Sequence, residues 1–143
     1  MANGQQFSAK VSDWVAQSQR RLEAVFRASV QEVVSRAQQR IPIDTGFAKA
    51  SVRASLSKMP SVTGETPQEG KRYSYDSSGI TLVIKNAKLG DVIYIGWTAN
   101  YAIFLEYGHS QQAPTGFLGV TALEWPRIVS EQSAKLKARV TNG

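Results

Sequence analysis

The sequence predicts an α+β domain in which a small, mainly antiparallel sheet is packed by a long N-terminal helix and a C-terminal helix. Three observations carry this prediction. Apolar residues recur three or four apart from Phe7 to Ile41, two short runs rich in β-branched and aromatic residues follow a Pro- and Gly-bearing middle, and helical spacing returns from Phe117 onward. With 143 residues, 42% of them apolar and 20% charged, the chain has the size and composition of one globular domain, 1–143, with a long flexible loop at 58–79.

The first element follows from its periodicity. Phe7, Val11, Trp14, Val15, Leu22, Val25, Phe26, Val30, Val33, Val34, Ala37 and Ile41 share one side, while Lys10, Arg20, Arg21, Arg27, Glu32, Arg36 and Arg40 occupy the other. Ser8 to Arg40 is 33 residues. At ~1.5 Å per residue that is roughly 50 Å, longer than a compact domain of this size needs, so part of the helix is expected to project or to pack on a neighbouring subunit. Pro42 stops it, because the residue before a proline is pushed out of the α region. Asp44 or Thr45 is then placed to cap a second helix over FAKASVRASL, with Phe47, Ala50, Ala54 and Val52 facing inward.

Residues Lys58 to Gly79 mix Pro, Gly, Ser and both charge signs without periodicity and read as a loop. Ile80–Asn86 and Val92–Thr98, joined through Gly90, read as a hairpin, with Ile80, Leu82 and Ile84 sharing a face of the first strand and Ile93, Ile95 and Trp97 sharing a face of the second. Tyr101 to Gly108, YAIFLEYG, fits a short helix closed by Gly108, although its aromatic content leaves an extended strand open. In the tail, Pro126 either kinks the closing helix or begins its main part, and Lys135, Lys137 and Arg139 complement the dipole at its end.

Chemistry is excluded more than indicated. The absence of cysteine removes disulfides, thiol catalysis and thiolate metal sites, and a single histidine, His109, in the turn-like GHSQQAPTG, cannot build a multi-histidine centre. The carboxylates are scattered, and no glycine pattern cradles a phosphate. The triplet Asp44-Thr45-Gly46 is the one arrangement that invites an enzyme, since a dimeric aspartic protease needs one Asp-Thr-Gly per chain to pair two carboxylates. That protease fold is almost wholly β, whereas this triplet lies between two helical patterns and reads as a helix cap. No catalytic, cofactor or metal residue is therefore expected, and the protein is not expected to be an enzyme.

Trp14, Trp97 and Trp125 all occupy apolar positions of helical or strand patterns and read as core rather than as stacking platforms for bases. The net charge of +6 is spread along the chain and reads as a solvated basic surface, with a basic DNA-binding module as the alternative. No apolar signal region or membrane-length run occurs, so neither secretion nor a membrane span is expected.

Two motifs carry a resemblance. P-x-D-T-G-x-x-K-x-S (Pro42 to Ser51) and Y-A-I-F-L-E-Y-G (Tyr101 to Gly108), the latter followed by Pro114-x-Gly-Phe117, occur in this order after a long helix and a hairpin pattern. Over roughly residues 30–134 the chain resembles the tail-completion proteins of tailed bacteriophages, which act at the head-tail junction. The resemblance implies a non-catalytic virion subunit of the tail or neck, assembled in the host cytoplasm. It would form a homo-oligomeric ring, commonly a hexamer, that caps the tail tube as a tail terminator and joins it to the head. Its partners would be the tail tube protein and a head-side connector or stopper protein, with genomic DNA passing through the lumen without sequence recognition. A stopper or adaptor ring nearer the portal is the alternative. Candidate subunit or partner contacts are Arg20, Arg27 and Arg36 on the first helix, Lys71, Arg72, Tyr73 and Tyr75 on the loop, and Phe104 and Tyr107 in YAIFLEYG.

Overall fold

The computed structural model describes residues 2–107 and 116–142. The elements run α1 (Ala2–Arg40), α2 (Phe47–Ala50), β1 (Val52–Ser55), α3 (Ser78–Asn86), β2 (Tyr94–Trp97), α4 (Ala102–Glu106), α5 (Gly119–Ala122) and α6 (Trp125–Asn142). This is an α+β fold, with a long first helix, a two-stranded antiparallel sheet and a closing helix.

The strand pairing departs from expectation. β2 pairs with β1, in the register Val52↔Trp97 to Ser55↔Tyr94, and not with Ile80–Asn86. That segment is helix: Ile80, Ile84 and Ala87 are buried, a spacing of four and three that faces one side of a helix, while Leu82 is exposed. Its β-branched content measured only a preference for packed surfaces, which a helix lying on a sheet satisfies equally. The start is fixed by Asp76, whose Oδ1 accepts the Ser78 amide at 2.9 Å. Bonding to Ser78 also holds the Asp76 carboxyl below its usual pKa.

The expected second helix is cut short for a related reason. It stops after one turn at Ala50, and Val52–Ser55 becomes β1, with Val52 buried and Arg53 exposed in the alternation of a strand. Thr98 anchors the start of this strand by donating its amide (3.1 Å) and its hydroxyl (2.8 Å) to the Ser51 carbonyl.

The core gathers Val30, Val34, Ala37 and Ile41 of α1, Ala48, Val52, Ile80, Ile84, Trp97 and Phe117. Trp97 is 8% exposed. Its Nε1 donates to Gln38 Oε1 at 2.7 Å, and its ring meets Phe117 edge-on at 5.0 Å. Gln38 is itself buried and donates Nε2 to the Lys49 carbonyl at 2.8 Å, so a polar group inside the core is satisfied on both sides. The expected inward set Ile93, Ile95 and Trp97 packs on this core.

Lys58 to Ser77 contains no helix or extended strand but is tied to the body. Thr63 makes a parallel bridge to Ala99, and the Tyr73 amide donates to the Thr45 carbonyl at 2.8 Å. Tyr75 packs against the core, where burial raises its hydroxyl pKa.

α6 runs antiparallel to α1. Near the start of α6, Arg36 bridges Glu32, Glu124 and Glu131, and Arg40 pairs with Glu124. Farther along, Arg21, Ala24 and Val25 of α1 line a shared groove with Ser133, Leu136 and Arg139 of α6. Pro126 sits in the first turn of α6, where its missing amide costs nothing. Gly108, His109 and Pro114 lie outside the described residues.

Two tryptophans are not where the pattern placed them. Trp14 is 67% exposed and Trp125 is also exposed. From Ser8 to Leu22 only Ala16 and Ser18 are more than lightly covered among the described side chains, with the end of α6 reaching α1 at Arg21. No helix among the described residues is long and apolar enough to cross a membrane.

Candidate assembly surface

The two sequence motifs meet in space. Phe47, inside the first motif, stacks on Tyr101, which opens the second, at 6.2 Å between ring centres, and meets Tyr73 of the loop edge-on at 5.0 Å. Burial raises the Tyr101 hydroxyl pKa, and the same hydroxyl bonds the Ala48 backbone. The triplet Asp44-Thr45-Gly46 leads into α2, with Thr45 Oγ1 accepting the Phe47 amide at 3.3 Å. Gly46 has φ 85, and a Cβ there would collide with the Tyr73 carbonyl. The glycine is thus required by a left-handed turn and by the close passage of the loop.

The second motif has a similar internal role. The Glu106 carboxylate accepts the amides of Phe117, Leu118 and Gly119 at 3.0–3.3 Å, occupying the donors at the entry to α5. Gly116 has φ 86, and a Cβ would run into Glu106. Glu106 therefore joins the second motif to Phe117 and the start of α5, a link that linear spacing does not reveal.

What remains open is surface. On the compact body, α4 presents Ile103 and Tyr107, the latter 73% exposed. On a second face, an apolar groove of ≈ 590 Å³ runs between Phe26, Val30 and Val33 of α1, Val92, Ile93 and Ile95, and Trp125. Leu123, next to that groove in sequence, is 83% exposed. A third open face is the projecting half of α1. Among the described residues no group of three or more His, Cys, Asp or Glu is placed to hold a metal.

The expected contact residues divide. Arg20, Lys71, Arg72 and Tyr107 are exposed, with the Lys71 ammonium 4.9 Å from the centre of the Tyr73 ring. Arg27 instead donates Nε and Nη2 to the Ala87 carbonyl at 2.8 and 2.6 Å and pairs with Glu23, gripping the end of α3. Arg36 is held in its carboxylate cluster, and Tyr73 and Tyr75 pack within their own chain. The Phe104 side chain lies outside the described residues. Sequence reasoning missed the groove and Leu123.

The family model described as "Bacteriophage HK97-gp10, putative tail-component" matches residues 5–108. No curated protein and no solved structure matches the chain.

Proposed function

The chain belongs to the HK97-gp10-like family of phage tail components, and from that premise we propose that it is a non-catalytic ring subunit at the head-proximal end of the tail, a tail terminator. The ring, taken as a hexamer, caps the tail tube, receives a head-side connector and leaves a lumen for DNA. The observation that carries this reading is the pair of separate apolar faces on one compact body: Ile103 and Tyr107 on α4, and the groove beside Val92, Trp125 and Leu123. Two different faces per subunit support heterologous contacts, and heterologous contacts close into rings when the rotation permits. Exposed apolar patches on a small domain point in the same direction, since a monomer gains nothing by leaving them in water.

Lys71, Arg72 and Tyr107 are the exposed candidates for contacts between copies. Arg27, Arg36, Tyr73 and Tyr75 serve by holding the presenting elements in place. Electron microscopy of the purified protein tests the reading together with a deletion of its gene. Closed rings of one size, and tails that grow past their normal length in the deletion, are the expected results. A protein that stays monomeric at high concentration, with tails of normal length when it is absent, overturns the reading. Rings combined with tails of normal length would instead favour a stopper nearer the portal.

A further inference from the structure

Cations occur all along the sequence, but the net charge does not. The first 22 residues carry Lys10, Arg20 and Arg21 against Asp13, and residues 132–143 carry Lys135, Lys137 and Arg139 with no carboxylate side chain, so five of the six net positive charges fall in these two segments. Because α6 returns antiparallel along α1, both segments lie at one end of the molecule. Everything between them is close to neutral.

The same end is apolar and open. Trp14 and Leu22 (58% exposed), with Val11 and Val15, form an apolar row on the part of α1 that precedes its core residues Val30, Val34 and Ala37. From Val11 to Leu22 the helix holds this row in water for about three turns, roughly 17 Å. A basic rim around a row of large apolar side chains, one of them a tryptophan, has the composition of a binding surface with a buried anchor.

We propose that the projecting half of α1, with the end of α6, docks on an acidic, apolar-centred surface of a different virion protein. A second copy is disfavoured because two such ends repel, and the rest of the chain carries no net negative charge to attract one. Duplex DNA would neutralise the cations but leave Trp14, Val15 and Leu22 uncovered, since phosphate contacts bury no aliphatic surface. An acidic protein surface answers both features at once. The inference rests on membership of a tail-component family and not on the ring or its tier.

The test places a photocross-linker, p-benzoylphenylalanine, at Trp14 in full-length protein supplied during phage assembly, with the exposed Leu82 of α3 as control position. Adducts are mapped in purified particles. The expected adduct joins position 14 to a virion protein of different sequence, through a peptide with more carboxylates than cations. Arg20→Glu with Arg21→Glu should lower its yield by about tenfold or more, and Arg20→Lys with Arg21→Lys should restore it. Circular dichroism confirms that each variant folds. Adducts to another copy of this chain, to DNA or to lipid, a yield at position 14 no higher than at position 82, or indifference to the charge reversal would each overturn the proposal. A chain absent from purified particles overturns it too, whereas rings failing to form would bear only on the terminator reading.

Discussion

Trp97 and Trp14 look alike in the sequence, each a large aromatic at an apolar position of a regular pattern, yet the fold treats them oppositely. Trp97 is 8% exposed and bonded to Gln38, whereas Trp14 is 67% exposed on a stretch of α1 that no other element covers. The difference separates two jobs within one chain. At the compact end, apolar residues are used to fix one structure, and the residues that carry the family resemblance do so by internal contacts. At the projecting end, the same residue types are presented outward, and only another molecule can cover them.

Substitutions can sharpen or break that division. The largest effect is expected at the compact end: Trp97→Ala should cost about 3–5 kcal/mol, since it opens a cavity and strands the buried Gln38 carbonyl oxygen. Urea melts measure this, and a loss below about 1 kcal/mol would mean that the ring does not hold the core together. Gly46→Ala comes next at about 2–3 kcal/mol, from the left-handed backbone and the collision with the Tyr73 carbonyl. A thermal melt that does not move would show that the loop does not pass close enough to Gly46 to exclude a methyl group.

A weaker effect is expected in acid. Glu124 titrates below its ordinary pKa, chiefly because the Arg40 guanidinium bonds it, with Arg36 adding to the effect. A carboxylate whose pKa is lower when folded contributes its stability above the unfolded pKa, and loses it as pH falls through the folded value. The contact between α1 and α6 should therefore weaken from roughly pH 4 downward. Glu124→Gln should be less stable at neutral pH and show a flatter acid profile. If the variant and wild type lose stability in parallel below pH 4, this cluster does not govern the acid response.

The smallest effect on folding is expected at the projecting end. Trp14→Ala should change the stability of the isolated subunit by no more than about 0.5 kcal/mol, the range of exposed sites. Incorporation into particles should nonetheless fall. A loss of several kcal/mol in the melt would place Trp14 inside a packed core and erase the contrast with Trp97.

Much of this architecture was legible from residue order. The long helix, its stop before Pro42, the strand at Tyr94–Trp97 and the closing helix all follow from spacing and from the limits that proline imposes. What failed to read were the strand partners. Ile80–Asn86 has the composition of a strand, and Val52–Ser55 is short enough to pass as the tail of a helix. Pairing is decided by which segments the loop between them brings together, through Thr63 on Ala99 and Tyr73 on Thr45, and those contacts leave no local pattern. The overlength of α1 was visible by counting residues. The gathering of its cations with those of α6 was not, because it depends on the antiparallel return of a helix more than a hundred residues later.

The central claim is that the molecule is built to be completed by other chains, the compact end by its own copies and the projecting end by a different protein. A reconstruction of the head-proximal end of the tail in intact particles tests this most directly. The account predicts a closed ring of this chain with the α4 face and the Val92–Trp125 groove buried between copies, and with residues 8–22 of α1 seated against another protein. Density showing those residues in solvent, and the compact bodies without mutual contact, would contradict it.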